Sequence, residues 1–137
     1  MKSQREHIVY LNSYMIEILD RQKALSNGVY VFPSVRDKNK PMARDTLSKA
    51  IRTLANGKWE GKLSPHGFRK TFRTHASWNL GQLITYGITE KTIEETLAHS
   101  TKGIAGVYEL SKATEEQRLR LSQWYGDYLN EIEPLFN

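Results

Sequence analysis

"LSPHGFRKTFRTHAS" (residues 63–77) sets the reading of this 137-residue chain. Within ten residues it holds His66, Arg69, Lys70, Arg73 and His75, and no acid. Surface helices ordinarily interleave charges of both signs, so a run of cationic hydrogen-bond donors asks for an anionic partner. Ser64 is a good N-cap and Pro65 a good first helical residue, so the spacing predicts a helix over roughly 65–80. His66 and Arg69, three apart, then share one face of its first turn, where the positive end of the helix dipole also lies. An imidazole, a planar guanidinium and free backbone N–H groups meeting there suit a phosphate, which Arg can grip through two oxygens. Taken alone, an H-x-x-R pair more often means a capping histidine and a solvated arginine. Phe68, Phe72 and Ala76 repeat every four residues and are expected to face inward.

Composition bounds what such a helix can belong to. The apolar fraction is 39%, with three Trp, seven Tyr and four Phe, enough for one folded domain with a real core. With no cysteine, the chain carries neither disulfides nor thiolate metal sites, and the cytoplasm is the expected compartment. No apolar run reaches membrane-spanning length, and the N-terminus lacks the apolar core of a signal peptide. The net charge of +5 is unevenly placed. Residues 1–75 carry fifteen Lys or Arg against six acids, a net +9, and residues 76–137 carry five against nine, a net −4. Such asymmetry is a common footprint of nucleic-acid binding, although a solvated basic surface produces the same count.

The pattern along the chain is mixed but mainly helical, without repeats or low-complexity tracts. "HIVYLN" (7–12) alternates and is β-branched enough for a short strand, and "VYVF" (29–32) reads as a second short strand, stopped by Pro33. "SYMIEILDRQKAL" (13–25) spaces Met15, Ile16, Ile18 and Leu25 as an amphipathic helix. "RDTLSKAIRTLANG" (44–57) reads as a helix with Asp45 as N-cap and Gly57 as stop. Loops 33–43 and 57–64 are rich in Lys, Gly and Pro and should be exposed. Beyond residue 64 only helices are expected, over about 65–80, 89–98, 104–110 and 114–132. The last carries Leu121, Trp124, Tyr125, Tyr128, Leu129 and Ile132 on one stripe. The fold class is α+β, mainly α, with a small antiparallel sheet.

"TIEETLAHSTKGIAGVYEL" (92–110) places His99 and, nine residues later, Tyr108. With it the chain resembles the tyrosine recombinase, or phage integrase, family, in its prophage integrase branch. The resemblance rests on H-x-x-R opening a helix (His66, Arg69), on Leu-Ala-His (97–99), and on a tyrosine nine positions on. "MKSQREHIVYLN" (1–12) resembles the branch's Lys-x-x-Arg-x-His-x-Val-Pro-Leu strand, with Tyr10 where Pro is usual. "VYVFPS" (29–34) and "RLRLSQWYGDYLNEI" (118–132) also resemble branch segments, so the likeness covers nearly the whole chain.

The resemblance implies the catalytic-domain fold of that family and a DNA breaking and rejoining reaction without metal, nucleotide or other cofactor. In it a tyrosine attacks the scissile phosphate, forming a 3′-phosphotyrosyl link and freeing a 5′-hydroxyl. Carried over to this chain, Tyr108 is the nucleophile and Arg69 holds the non-bridging oxygens. His66 hydrogen-bonds the phosphate or assists proton transfer, His99 is a further donor, and Lys2 is the acid for the leaving oxygen. Lys62, Lys70 and Arg73 are expected along the DNA backbone. The implied partner is double-stranded DNA at attachment sites, with a homo-oligomer forming on it in the full-length protein. A metal held by His66, His75 and His99 finds no acidic or thiol partner at ligand spacing. Tyr125 and Tyr128 lie on the apolar stripe, Tyr14 and Tyr30 in apolar-patterned elements, and Tyr86 has no basic neighbour.

The family's active site also uses an arginine from an earlier helix, and no segment here matches it. The family's N-terminal DNA-clamping domain has no counterpart either. Residues 1–137 are therefore expected to be the C-terminal part of an integrase catalytic domain, inactive by itself. The alternative is a non-catalytic DNA-binding fragment of a decayed integrase.

Overall fold

The computed structural model describes residues 7–98 and 113–136. They are mainly helical: α1 (Ser13–Ser26), α2 (Thr46–Thr53), α3 (Pro65–Trp78), α4 (Leu80–Thr85), α5 (Glu90–Thr96) and α6 (Glu115–Ile132). The chain forms two compact units, one of residues 1–13 and 72–137 and one of residues 14–71, divided inside α3 between Thr71 and Phe72. The expected helix near 104–110 lies outside the described residues. None of the described helices is long and apolar enough to cross a membrane.

The unit of residues 1–13 and 72–137 is organised by its apolar core. Ala76, Leu83, Ile88, Ile93, Leu97 and Leu121 are buried together, with Phe72, Leu80 and Trp124 packed against them. Each turn between its helices has a local cause. Asn79 ends α3 early, because its amide nitrogen turns back to donate to the His75 carbonyl at 2.8 Å. After α4 the chain closes a Schellman turn. Gly87 N–H donates to Ile84 and Ile88 N–H to Leu83, both near 3.0–3.1 Å. Gly87 takes φ +75°, which a side chain resists, and Leu83 and Ile88 meet in the core across the turn. Thr89 and Thr92 form a capping box on α5, and Thr114 and Gln117 another on α6.

Residues 7–12 run without a ladder partner among the described residues, so the expected strand does not form there. A strand needs a neighbour for its N–H and C=O groups. This segment is instead tied to α6 by side chains. The buried Asn12 amide donates to the Ser122 carbonyl at 2.8 Å, and Ser13 and Gln123 exchange hydrogen bonds of 3.0 and 3.1 Å.

The unit of residues 14–71 has a thin core, with Ile51 and Ser26 as its buried residues. Met15, Ile16, Ile18 and Leu25 are all exposed, and α1 turns inward the narrower face of Leu19, Gln22 and Ser26. Phe68 is exposed as well, unlike Phe72 and Ala76, which meet the other unit's core. The expected small sheet reduces, among the described residues, to a single antiparallel bridge between Pro33 and Pro41, flanked by Ser34–Lys40 and Met42–Phe32 hydrogen bonds of 2.8 and 2.9 Å. Its physical limit is the pair of prolines, since neither has an N–H to extend the ladder. The expected strand at 29–32 is consequently a series of bends. Asp45 occupies the N-cap position of α2 without capping it, because its carboxylate is drawn to Lys49 at 2.5 Å. That helix stops at Thr53, short of Gly57, because Ala55, Asn56 and Gly57 all take left-handed conformations.

Ala98, just after α5, is also left-handed at φ +53°. A Cβ there costs about 1–2 kcal/mol, while glycine adds somewhat less in unfolded-chain entropy. Ala98→Gly should therefore raise the urea midpoint by an amount equivalent to about 0.5–1 kcal/mol. A lowered midpoint would contradict the left-handed ending of α5.

Candidate functional site

The first turn of α3 forms as its sequence predicts. The Ser64 hydroxyl accepts the Gly67 N–H at 3.0 Å, satisfying one of the donors that a helix start leaves open. Gly67 is suited to that cap, since a Cβ there would stand 3.3 Å from the Ser64 oxygen. His66 and Arg69 are both exposed, one turn apart on the helix, and Lys70 beside them is exposed too. Lys62 lies exposed in the preceding turn, held through its N–H to the Trp59 carbonyl at 3.1 Å. What this turn can do chemically is donate: a guanidinium, an imidazole and an ammonium stand around a dipole's positive end.

The surrounding charge favours the same sign. Residues 14–71 carry twelve Lys or Arg against five acids, a net +7, whereas the other unit nets −2. Within the basic unit Glu17, Asp37 and Asp45 pair with Arg21, Lys40 and Lys49. Lys58 stacks over Trp59 at 5.2 Å from the ring centre.

Arg73, expected on the same cationic surface, belongs to the other unit and bonds Glu94 of α5 through its Nε. The hydrogen bond and charge of Glu94 hold the Arg73 guanidinium above the usual arginine range. Sequence reading missed this pairing, because 21 residues separate the two and no helical spacing links them. It also missed Glu95, whose carboxylate gathers Arg118 of α6 at 3.3 Å, the Ala113 N–H at 2.7 Å and Lys91 at 3.9 Å. Only the i,i+4 relation to Lys91 was visible in the sequence.

His75 is occupied elsewhere. Its ring lies among Trp78, Tyr125 and Tyr128, with Nδ1 at 3.3 Å from the Tyr125 hydroxyl. Tyr125 also meets Phe72 edge-on, and Trp124 stacks with Tyr128, so both tyrosines serve packing, as their apolar stripe suggested. Burial raises the Tyr125 hydroxyl above the usual tyrosine range, with a smaller contribution from Tyr128. Among the described residues no group of three His, Asp or Glu side chains is placed to hold a metal ion. Three of the expected site residues, Lys2, His99 and Tyr108, lie outside the described residues.

Comparison with known proteins adds what the geometry alone does not. The profile of the phage integrase family matches residues 1–115. Prophage integrase IntZ of Escherichia coli (strain K12) is 33% identical over 133 residues, which is 96% of this chain and 30% of that protein. Prophage integrase IntA of the same strain is 33% identical over 129 residues, covering 93% of this chain and 29% of that protein. The integrase of Enterobacteria phage P4 is 31% identical over 133 residues, with 95% and 28% covered. No solved structure gives a significant match. The chain belongs to the phage integrase family. It spans less than a third of the length of the curated relatives it matches.

The cap that starts α3 can be checked directly. Ser64→Ala should lower the unfolding free energy by about 1 kcal/mol, while Ser64→Asn should lose only part of that. Equal stability of Ser64→Ala and the native chain would show that the hydroxyl does not hold this turn.

Proposed function

We propose that these residues are the C-terminal part of the catalytic domain of a longer integrase. That enzyme cuts and rejoins DNA at specific sites to integrate a prophage or related element. The observation that carries the reading is the capped first turn of α3, which presents His66 and Arg69 to solvent in a chain belonging to the phage integrase family. Family relatives over nearly the whole chain are named prophage integrases, which supports the same assignment.

In the proposed reaction the Tyr108 oxygen attacks the scissile phosphorus and the bond to the 5′-oxygen breaks. The products are a 3′-phosphotyrosyl link and a 5′-hydroxyl, so the phosphodiester energy is kept for rejoining. The tyrosine proton passes to a base, a part His66 can take, and the departing oxygen receives a proton from Lys2. Charge accumulates on the non-bridging oxygens in the transition state, and Arg69, His66 and His99 supply the compensating donors. Arginine suits this place better than lysine because its planar fork meets two oxygens at once. Lys62 and Lys70 contact the DNA backbone, which fixes position rather than sequence. Arg73, bonded to Glu94, contributes to this surface only if that pair opens. The protein acts as a homo-oligomer on its attachment sites.

Two outcomes test this reading in the full-length protein on a nicked suicide duplex. Tyr108→Phe should abolish covalent attachment while DNA affinity stays within about twofold, because one neutral hydroxyl adds little to an electrostatic interface. Arg69→Ala should lower the rate of attachment by about a hundredfold or more through lost transition-state stabilisation. Full attachment by Tyr108→Phe would overturn the reading. DNA binding without attachment by the native protein would favour a non-catalytic module instead.

The charge distribution makes a separate prediction. Affinity for duplex DNA should fall at least about tenfold between 50 and 200 mM salt, and Arg69→Ala with Lys70→Ala should weaken all sequences alike. Salt-independent binding would contradict a backbone-contacting surface.

A further inference from the structure

The cationic run of α3 carries no acid of its own, yet Arg73 meets one from another helix. Glu94 of α5 accepts the Arg73 Nε hydrogen, and Glu90, one turn earlier on α5, adds a smaller pull of the same sign. The two partners differ in setting. The Arg73 side chain is 52% exposed, whereas that of Glu94 is 22% exposed. The guanidinium therefore stands at the surface, where an external anion can reach it, while its carboxylate partner is mostly withdrawn from water.

What brings the two together is the apolar core of their unit. Phe72, the residue before Arg73, packs with Ala76 against a buried cluster that includes Ile93 and Leu97 on either side of Glu94. Burial thus fixes α5 against this part of α3, independently of the ion pair. The Glu94 carboxylate is held beside Arg73 at a high effective concentration, which a phosphate arriving from solution has to match. A carboxylate withdrawn from water also loses more on parting from its cation than an exposed one does. Both effects favour Glu94 over an incoming phosphate.

We propose that Glu94 withholds Arg73 from the DNA backbone, so that the protein grips duplex DNA with one phosphate contact fewer than the cations of α3 would give. The inference rests on the reading that this run of α3 meets duplex DNA, and it adds an acid that works against that contact. Backbone contacts act on every sequence alike, so the withheld arginine weakens the hold on DNA in general. A protein in search of a specific site leaves wrong sequences sooner when each of them holds it less.

Binding of the full-length protein to a duplex of arbitrary sequence, followed between about 50 and 200 mM salt, tests this. In Glu94→Gln the Arg73 charge is uncompensated, so the variant should bind more tightly than native at the low end of that range. Its affinity should then fall about three- to fourfold more across the range than the native protein's, as one added phosphate contact requires. A damaged fold does not produce such a gain. Glu94→Gln combined with Arg73→Gln should return to native affinity and salt dependence within about twofold. In the native protein, which needs no substitution to fold, the Arg73 Nε–H resonance should keep its position when DNA is added. Native or weaker binding by Glu94→Gln would overturn the proposal. So would a gain that persists without Arg73, since that marks a diffuse charge effect. A double variant that binds more weakly than native, with a shallower salt dependence, would show Arg73 already on the DNA and overturn it too. A large shift of the Nε–H resonance on adding DNA would do the same. Arg69→Ala with Lys70→Ala, run in parallel, tests the reading beneath. If that pair of changes weakens binding while Glu94→Gln alters nothing, only the role of Glu94 falls. If it leaves native affinity intact, the DNA-facing reading falls and the proposal with it.

Discussion

Leu121 on α6 is buried completely in one cluster with Leu83, Ile88, Ile93 and Leu97, and the arrangement of α4, α5 and α6 depends on that burial. Each such side chain contributes roughly 1.5–3 kcal/mol on leaving water, more than any of the surface ion pairs nearby. The rest of this unit is shaped around it. The Schellman turn at Gly87 brings Ile88 back over Leu83, the Thr89 box starts α5, and Gln117 and Arg120 fasten α6 to the turn below it. Where α5 ends and α6 begins is thus set by packing. That in turn decides from where the chain departs to residues 99–112 and where it returns.

The basic unit is built on different terms. With Ile51 and Ser26 as its buried residues, it relies on caps and turns: the Ser64 hydroxyl at α3, the Asp37 turn that leads into the Pro33–Pro41 bridge, and the left-handed run after α2. Such a unit spends its sequence on exposed cations and polar turns. A net +7 over residues 14–71 suits a surface that meets a polyanion. The acidic excess falls in the unit whose core carries the helices on either side of residues 99–112.

Local rules made much of this legible in the sequence. Ser64-Pro65 announced the start of α3, and the apolar spacing of 13–25 and 114–132 gave α1 and α6 to within a residue or so. His66 and Arg69 could be placed on one turn for the same reason. What the sequence hid was decided at long range or by a local rival. Asn79, bonding back to His75, ended α3 at Trp78 rather than near 80, and α4 over Leu80–Thr85 was not foreseen. Prolines at both positions of the bridge stopped a ladder that β-branched residues had suggested. The spacing of 13–25 read as an amphipathic helix, yet Met15, Ile16 and Ile18 are exposed, since periodicity tells which residues share a face and not what covers it. Arg73–Glu94 and Glu95–Arg118 link separate elements, and no spacing along the chain encodes such pairs.

The central claim is that this family member cleaves DNA through one tyrosine, Tyr108. The most direct measurement is peptide mapping by mass spectrometry of the full-length protein after trapping on a nicked duplex. The account predicts a nucleotide-bearing phosphate on the peptide containing Tyr108, joined through the 3′ end of the cut strand. A phosphate mapped instead to Tyr86, Tyr125 or another tyrosine, or joined through the 5′ end, would contradict it.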